Sequence, residues 1–204
     1  MRAARPILLA LVLAAAAPAV ASDLEARVAG CEACHGPGGQ SQRSDVPIIA
    51  GQSQKLLFKA LGEFRDYARP CPREGLGDDA AARPETMCEV TETLTDDEIA
   101  DLAAWFSKRP FRAADQPFDL DRAMEGAALH AVYCAACHPG GGGGVGLGGR
   151  LAGQWRPYLS RSMDQIRSGE WLIPKVMERK MSDFSPEEID ALLHYYARHP
   201  EAPR

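Results

Sequence analysis

Two cysteines separated by two residues, with a histidine directly after the second, occur twice in this chain of 204 residues. The copies are "CEACH" at 31–35 and "CAACH" at 134–138, an offset of 103 residues. Thiols and imidazoles in this arrangement can ligate a metal, form a redox dithiol or attach a larger group through sulfur. The chemistry of the protein depends on which of these uses the motif serves.

Covalent attachment of haem c explains the motif better than the two alternatives. Zinc ribbons place their cysteine pairs about 15–20 residues apart, whereas these pairs lie 103 residues apart. A thioredoxin-like dithiol needs a βαβ context, which this helical sequence lacks. Thiols about one helical turn apart reach the two vinyl groups of one porphyrin edge, and the adjacent histidine lies beneath the iron. We predict two covalent haem c groups, with Cys31, Cys34, Cys134 and Cys137 as attachment points and His35 and His138 as iron ligands.

The motifs belong to a longer internal repeat, which indicates a duplicated domain. "IAGQ" (49–52) matches "LAGQ" (151–154), and "LTDDEIADLAAWFSKR" (94–109) matches "FSPEEIDALLHYYARH" (184–199). The Pro-bearing segment 109–118 is the natural joint between the halves. We therefore predict two domains, at 22–112 and 113–204, the first with an insertion at 70–90.

The N-terminal segment has the composition of a secretory signal peptide. Two arginines precede an apolar run at 7–17, and Ala-Val-Ala at 19–21 supplies the small residues of a cleavage site. The apolar run is short for a membrane span, so we predict that residues 1–21 are removed. The mature chain would keep 21 basic and 28 acidic residues, a formal charge of −7, which disfavours nucleic-acid binding.

The remaining pattern is helical and predicts an all-α fold. Thr95 with Glu98, and Ser185 with Glu188, form capping boxes, each followed by apolar residues at helical spacing. Further helices are predicted before each motif, at 23–34 and 119–137, and in the middle of each half, at 53–67 and 155–168.

A methionine at the same place in each half offers a second axial ligand. Met87 lies seven residues before Leu94, and Met177 lies seven residues before its equivalent, Phe184. Met/His ligation raises the reduction potential of a haem. Met181 is the alternative to Met177, because it lies only four residues further on. Two other methionines lie on predicted helices away from this position and are predicted to be core residues: Met124 and Met163.

The order of these motifs resembles the class I cytochromes c. The tandem duplication over residues 23–199 looks like the dihaem cytochrome c4 group, and it is similar to the dihaem subunit of flavocytochrome c sulfide dehydrogenase. The resemblance implies two tandem class I cytochrome c domains, each wrapped around one covalent haem. It also implies an electron-transfer protein of the bacterial periplasm.

One feature implied by the resemblance separates the two halves. In that family, a glycine in the first helix allows a close crossing with the last helix, against an aromatic ring. Gly126 and either Tyr195 or Tyr196 match this pattern in the second half. Asp23 occupies the glycine position in the first half, so we expect a shorter first helix and a looser crossing there.

The insertion holds the two remaining cysteines, Cys71 and Cys88. In an exported protein, an even pair of leftover cysteines most simply forms a disulfide, here next to Met87. In the competing hypothesis, Cys88 is itself a haem ligand, which would indicate a sulfur-oxidising enzyme and leave Cys71 unpaired.

The other ionisable side chains give weaker signals. Three histidines outside the motif are predicted at surface or helix-end positions: His130, His194 and His199. Arg65 and Arg69 follow the middle helix of the first half, where they either pair with haem propionates or remain solvated.

Two classes of function are compatible with these features. An electron shuttle would have His and Met on both irons and would exchange electrons with a terminal oxidase, reductase or dehydrogenase, with peripheral association at membrane complexes as an option. The enzymatic alternatives are a dihaem peroxidase, a thiosulfate dehydrogenase, or the haem subunit of a flavin-dependent or sulfur-oxidising dehydrogenase. The two predicted His/Met sites favour the shuttle.

Overall fold

The computed structural model describes residues 19–71, 86–144 and 148–198. Within these ranges the backbone forms eight α-helices and no strand. The helices are α1 (Ala19–His35), α2 (Gln54–Arg65), α3 (Met87–Thr91), α4 (Asp96–Ser107), α5 (Leu120–Leu129), α6 (Arg156–Arg167), α7 (Lys175–Asp183) and α8 (Pro186–Arg198). Most of the predicted signal peptide, most of the insertion and His199 lie outside the described residues. None of the eight helices has the length and hydropathy needed to cross a membrane.

The sequence repeat is repeated in the structure, since α1–α4 and α5–α8 follow the same order. The predicted middle helices are confirmed as α2 and α6. A 3-10 turn at Pro37–Gly39 follows α1, and a π-helical turn at His130–Cys134 continues α5 into the second motif. The all-α prediction is confirmed for the described residues.

The capping boxes of the last helices form as predicted. The Thr95 hydroxyl accepts a bond from the Glu98 N–H (3.3 Å), and the Glu98 carboxylate accepts one from the Thr95 N–H (2.8 Å). Ser185 and Glu188 make the same pair of bonds, at 3.2 and 2.8 Å. The apolar positions predicted to face inward are buried in both helices: Ile99, Leu102, Ala103, Phe106, Ile189, Leu192, Leu193 and Tyr196.

Two short helices, α3 and α7, have no counterpart among the predicted elements. Thr86 caps α3 through a third capping box, with Glu89. This signal is present in the sequence as Thr-x-x-Glu, like that of α4. By contrast, α7 follows Pro174 and has no side-chain cap, so local spacing gave little indication of it.

The first and last helices of the second half cross closely at Gly126, as expected. A Cβ atom at Gly126 would lie 2.1 Å from the carbonyl oxygen of Ala191 and 2.8 Å from the Cβ of Tyr195. Only a residue without a Cβ allows the helices to approach this far. Neighbouring Met124 is 53% exposed, so its predicted core position is wrong. The side that α5 turns toward α8 is occupied by Ala123 and Gly126 instead. Met163 is buried, as predicted.

The corresponding crossing in the first half is looser, as expected, and α1 contacts α4 over a shorter stretch. Val28 packs into the core there, and Arg27 forms an ion pair with Glu98. The first helix also begins later in the first half, as expected, since Ala19 lies 12 residues before Cys31 whereas Leu120 lies 14 residues before Cys134. As a whole α1 is not shorter than α5, because it continues through the motif to His35.

The two AGQ segments meet where the halves pack together. The Gln52 Oε1 atom accepts a bond from the Arg150 N–H (3.0 Å), and the Gln154 Oε1 atom accepts one from the Ile48 N–H (2.8 Å). Ile48 and Arg150 are equivalent positions of the repeat, so the contact is reciprocal, as in a two-fold interface. Gln154 also donates to the Ile48 carbonyl (2.9 Å), which makes its side the stronger one.

The joint at 109–118 lies against both halves. Gln40 and the Arg112 backbone exchange two hydrogen bonds, of 2.7 and 3.0 Å. The Ala114 N–H donates to the Gly153 carbonyl (2.8 Å), and Gln116 donates to the Gln154 carbonyl (2.7 Å). The joint is therefore part of the contact between the halves.

Candidate haem sites

The four motif cysteines lie where the first helix of each half ends. All four are free thiols; Cys31 and Cys134 are half-buried, and Cys34 and Cys137 are exposed. Each half thus presents one inner and one outer thiol directly before a histidine, which is the arrangement that two thioether bonds require.

The electrostatics of the inner thiols disfavour a redox dithiol. Burial raises the pKa of the Cys31 thiol to about 11, with smaller contributions from Cys34 and Glu32. Burial likewise raises the pKa of Cys134. Reactive dithiols depend on a lowered thiol pKa that provides the thiolate at neutral pH, and the opposite holds here.

Each motif histidine is buried and held by a backbone carbonyl. The Nδ1 atom of His35 lies 2.9 Å from the Pro47 oxygen, and that of His138 lies 3.3 Å from the Gly149 oxygen. A carbonyl can only accept, so Nδ1 carries the proton and the Nε2 lone pair remains for a metal. Burial lowers the pKa of both histidines, which favours the neutral form that binds iron.

The candidate methionine ligands lie on the two short helices. Met87 is the first residue of α3 and is partly buried. Met177 lies in α7, partly buried against the core of the second half, and Met181 lies one turn later at 3% exposure within that core. Met87 and Met177 thus lie on equivalent helices, each directly before the last helix of its half. The choice between Met177 and Met181 stays a prediction.

The disulfide between Cys71 and Cys88 is present, with the Cα atoms 6.0 Å apart. It joins the chain after α2 to the second residue of α3. A sulfur in a disulfide has no thiolate to offer, so the hypothesis that Cys88 is a haem ligand is wrong. The sulfur-oxidising enzyme built on that ligand loses its basis.

His130 lies beside the second motif, at the end of α5 as one of the two predicted alternatives had it, but it is not at the surface. It is 3% exposed, and its Nδ1 atom lies 3.0 Å from the Tyr196 hydroxyl. The signal was its spacing, because Gly126, His130 and Cys134 recur every four residues and so share one helix face. His194 takes the predicted type of role, with its Nδ1 atom accepting a bond from the Asp119 N–H at the start of α5 (2.7 Å).

Neither arginine after the middle helix of the first half is simply solvated. Arg65 pairs with Asp66 (3.0 Å) and Asp96 (2.7 Å) and donates to the Leu94 carbonyl. Arg69 reaches the second half, where it donates to the Tyr158 hydroxyl. The sequence indicated only haem propionates or solvent as surroundings for Arg65 and Arg69, so it did not predict these contacts with protein groups.

The donor set in each half suits haem c. Two free thiols one helical turn apart precede a buried histidine whose Nε2 atom is available. Axial histidine and methionine with two thioether bonds are the ligand types of c-type cytochromes.

Comparisons with known proteins agree with this arrangement. The family model described as "Cytochrome c" matches residues 25–109, and the one described as "Cytochrome C oxidase, cbb3-type, subunit III" matches residues 121–195. The two matches fall on the two halves of the repeat, one on each.

Several cytochromes c4 match most of the chain. Cytochrome c4 of Stutzerimonas stutzeri is 30% identical over 192 residues, which cover 86% of this chain and 88% of that protein. Cytochrome c4 of Azotobacter vinelandii is 32% identical over 154 residues, 71% of each chain. The crystal structure of reduced recombinant cytochrome c4 from Pseudomonas stutzeri superposes with a TM-score of 0.68 at 27% identity, covering 87% of this chain and 97% of that one.

A more limited similarity covers less than half of the chain. The thiosulfate dehydrogenase electron acceptor of Stutzerimonas stutzeri (strain A1501) is 29% identical over 83 residues, which cover 41% of this chain and 34% of that protein. The matched length is about that of one of the two repeated domains.

The fold, the duplicated motif and the relatives lead to one conclusion. The chain is an all-α protein of two class I cytochrome c domains that carries two covalently attached haem c groups and transfers electrons. With cytochromes c4 at 30% identity or more over most of its length, this chain belongs to the cytochrome c4 family.

Proposed function

We propose that this chain is a periplasmic shuttle that takes up two electrons, one per haem, and passes them between redox partner proteins. The observation that carries the proposal is the equivalence of the two sites. Each half presents a buried histidine with Nδ1 held by a carbonyl, and a methionine on the short helix before the last one. Two His/Met sites leave no position on either iron for a substrate.

The residues of the chain have distinct roles in this proposal. Cys31, Cys34, Cys134 and Cys137 tether the haems, and His35, His138, Met87 and Met177 hold the iron from its two sides. The Pro47 and Gly149 carbonyls fix the imidazole planes, so that a ligand need not reorganise during electron transfer. When bound, the haem iron supplies a reversible one-electron couple, whose potential methionine ligation raises.

Export is part of the proposal. Residues 1–21 have the features of a cleaved signal peptide. The Cys71–Cys88 disulfide supports an oxidising compartment, because structural disulfides persist outside the cytosol. We further propose that the mature domains are 22–112, with the insertion at 70–90, and 113–204.

The partners are proposed by class only. A terminal oxidase, a reductase or a dehydrogenase would exchange electrons with the haems, and contact with membrane complexes would be peripheral. The match to a family described as a subunit of a cbb3-type oxidase supports a respiratory partner for the second half. The acidic composition argues against nucleic acid.

A second candidate is the haem subunit of a flavin-dependent or sulfur-oxidising dehydrogenase. The similarity to the electron acceptor of a thiosulfate dehydrogenase favours it. A stable subunit would copurify with its dehydrogenase when isolated from its native source, whereas a shuttle would be recovered alone and be reduced by the isolated enzyme.

Mass spectrometry and a redox titration of the purified holoprotein test the proposal. The denatured chain should retain two haem masses, and the Cys134→Ala, Cys137→Ala double variant should retain one. Both haems should titrate as low-spin, six-coordinate centres that do not bind carbon monoxide when reduced. A mass fitting one haem in the unaltered chain, or an iron that binds carbon monoxide readily, would overturn the shuttle.

A further inference from the structure

The Arg69 side chain lies between the two halves of the molecule. Its guanidinium carbon is 4.6 Å from the ring centroid of Phe64, in the first half, and 3.8 Å from that of Trp171, in the second. An Nη atom donates to the Tyr158 hydroxyl at 3.0 Å. One cation thus stacks on a ring from each half and donates a hydrogen bond to the hydroxyl oxygen of Tyr158, and a planar guanidinium suits both kinds of contact.

The backbone that carries Arg69 is fixed at both ends. The Ala68 and Arg69 N–H groups donate to the Glu63 carbonyl in α2, at 2.8 and 3.1 Å. On the other side, the Arg69 carbonyl oxygen lies 3.6 Å from the Cys71 sulfur and 3.7 Å from the Cys88 sulfur. The disulfide therefore packs directly on the peptide that presents the guanidinium.

The disulfide also connects this position to the candidate ligand of the first haem. Cys88 is 2% exposed and follows Met87 at the start of α3. The bond between Cys71 and Cys88 therefore ties α3 to the segment that holds Arg69. Loss of the disulfide would therefore remove a restraint on α3 and on the segment that holds Arg69.

The receiving side belongs to the second half. The backbone N–H of Trp171 donates to the Gln165 carbonyl near the end of α6 (3.0 Å), and the Trp171 ring packs against the core that includes Met181. At the start of α6, the Tyr158 N–H donates to the Ser44 carbonyl of the first half (3.1 Å). Arg69 therefore adds to a contact that already joins α6 to the first half.

We propose that Arg69, held by the Cys71–Cys88 disulfide, is a positioning residue that fixes the two haem domains relative to each other for electron transfer between the haems. The inference rests on the proposed function as a two-electron shuttle. It goes beyond that function by assigning the insertion disulfide and one arginine to the geometry between the domains.

Native-state hydrogen exchange of the holoprotein tests the inference, because three amides report on the contact between the halves. The N–H groups of Ile48, Arg150 and Tyr158 each bond across it. In Arg69→Ala their exchange should accelerate about tenfold, a factor that corresponds to about 1.4 kcal/mol. Amides within α4 and α8 should keep their protection.

Arg65→Ala is the matched control. Arg65 lies four residues earlier, and its ion-pair partners, Asp66 and Asp96, belong to the first half. Arg65→Ala should leave the three reporter amides unchanged. Equal exchange in the Arg65 and Arg69 variants would overturn the inference, as would an acceleration spread over α4 and α8. In Arg69→Lys, which keeps the charge but not the planar group, acceleration as large as in Arg69→Ala would support the stacking role.

The role of the disulfide is tested by a double-mutant cycle. The Cys71→Ser, Cys88→Ser variant should accelerate the same amides, and Arg69→Ala should add less than twofold in that background. If Arg69→Ala accelerated exchange a further tenfold in the double-serine variant, the arginine would act without the disulfide. That result would overturn the role proposed for the disulfide.

Electron transfer provides the functional readout. The rate at which an electron equilibrates between the haems should fall at least severalfold in Arg69→Ala and stay unchanged in Arg65→Ala. The two measurements can contradict the proposed function and the Arg69 inference separately. A protein that is no shuttle can still show the Arg69 effect on the amides, and a working shuttle with unchanged amides would refute only the inference.

Discussion

At the scale of single residues, the backbone decides which atom of each motif histidine is available. Pro47 and Gly149 lie at equivalent places of the repeat, and each carbonyl oxygen accepts a hydrogen bond from the Nδ1–H group of its histidine. The side chain at the carbonyl position differs, but the carbonyl is common to all residues. The tautomer is therefore fixed in both halves although the sequences diverge there.

The choice between the two methionines of α7 is a prediction at this scale. Met177→Ala should abolish the methionine–iron charge-transfer absorption of one haem, and Met181→Ala should retain it while lowering stability by about 2–5 kcal/mol, since Met181 is a buried core residue. Absorption spectroscopy of the oxidised variants and denaturant unfolding distinguish the two effects. The reverse pattern would make Met181 the ligand.

The histidines also predict how haem ligation responds to acid. In the proposed sites the Nε2 atom of each ring is bound to iron, so a proton can bind there only by displacing the iron. Burial lowers the pKa of His35 and His138, which acts in the same direction as iron binding. The neutral, ligating rings should therefore persist well below about pH 6.5, where a free imidazole protonates.

An absorption titration of the oxidised holoprotein measures this effect. The low-spin spectrum of both haems should stay unchanged as the pH falls through about 6.5. Loss of histidine ligation near about pH 6.5 would contradict the prediction.

At the scale of helices, the same sequence repeat gives two different crossings. Gly126 lets α5 lie against the backbone of α8, whereas the first half has Asp23 at that place and a shorter contact between α1 and α4. An ion pair between Arg27 and Glu98 contributes to the looser crossing. The helix crossing in the second domain therefore depends on close approach of the two backbones. The crossing in the first domain depends more on side-chain contacts.

Gly126→Ala tests that dependence. The new Cβ would lie 2.1 Å from the Ala191 oxygen, so α5 and α8 must move apart, and we expect a loss of about 3 kcal/mol in the free energy of unfolding. Gly62→Ala is the control, since it lies within α2 with no atom within 4 Å of the new Cβ. It should gain up to about 1 kcal/mol. Thermal or denaturant unfolding measures both, and equal effects would refute the crossing argument.

At the scale of the whole molecule, the halves pack through backbone groups that two glutamines satisfy. Gln154 serves both the N–H and the carbonyl of Ile48, and Gln52 serves the N–H of Arg150. Buried polar groups without partners cost about 1–3 kcal/mol each. The contact is thus specific as well as stabilising, because only one relative position of the domains satisfies these groups.

Near-isosteric substitutions test whether Gln154, with two bonds to the other half, contributes more to the contact than Gln52, with one. Gln154→Met should weaken the contact more than Gln52→Met, by about 1–3 kcal/mol, because it removes two bonds that cross between the halves rather than one. The Ile48 N–H then has no partner, and the Ile48 carbonyl keeps only a 3.5 Å bond from Gln52. Calorimetry should show the unfolding of the two domains separating into two transitions in Gln154→Met first. Equal behaviour of the two variants would contradict the assignment of the stronger side.

The sequence by itself determined what depends on local spacing. Haem attachment follows from thiols two residues apart and a histidine beside them, and α4 and α8 follow from capping boxes and helical periodicity. The even number of cysteines outside the two motifs favoured pairing Cys71 with Cys88, and the structure has that disulfide. The capping box at Thr86 would have predicted α3 as well, because a cap is also a local signal.

Only the tertiary structure decided what depends on the packing of distant segments. The exposure of Met124 and the position of Arg69 against Trp171 each follow from how one helix or half lies on another. Arg69 and Trp171 are more than one hundred residues apart, and no local periodicity relates them. Their contact exists because the fold brings the end of α2 to the end of α6, where the Arg69 guanidinium packs between the rings of Phe64 and Trp171.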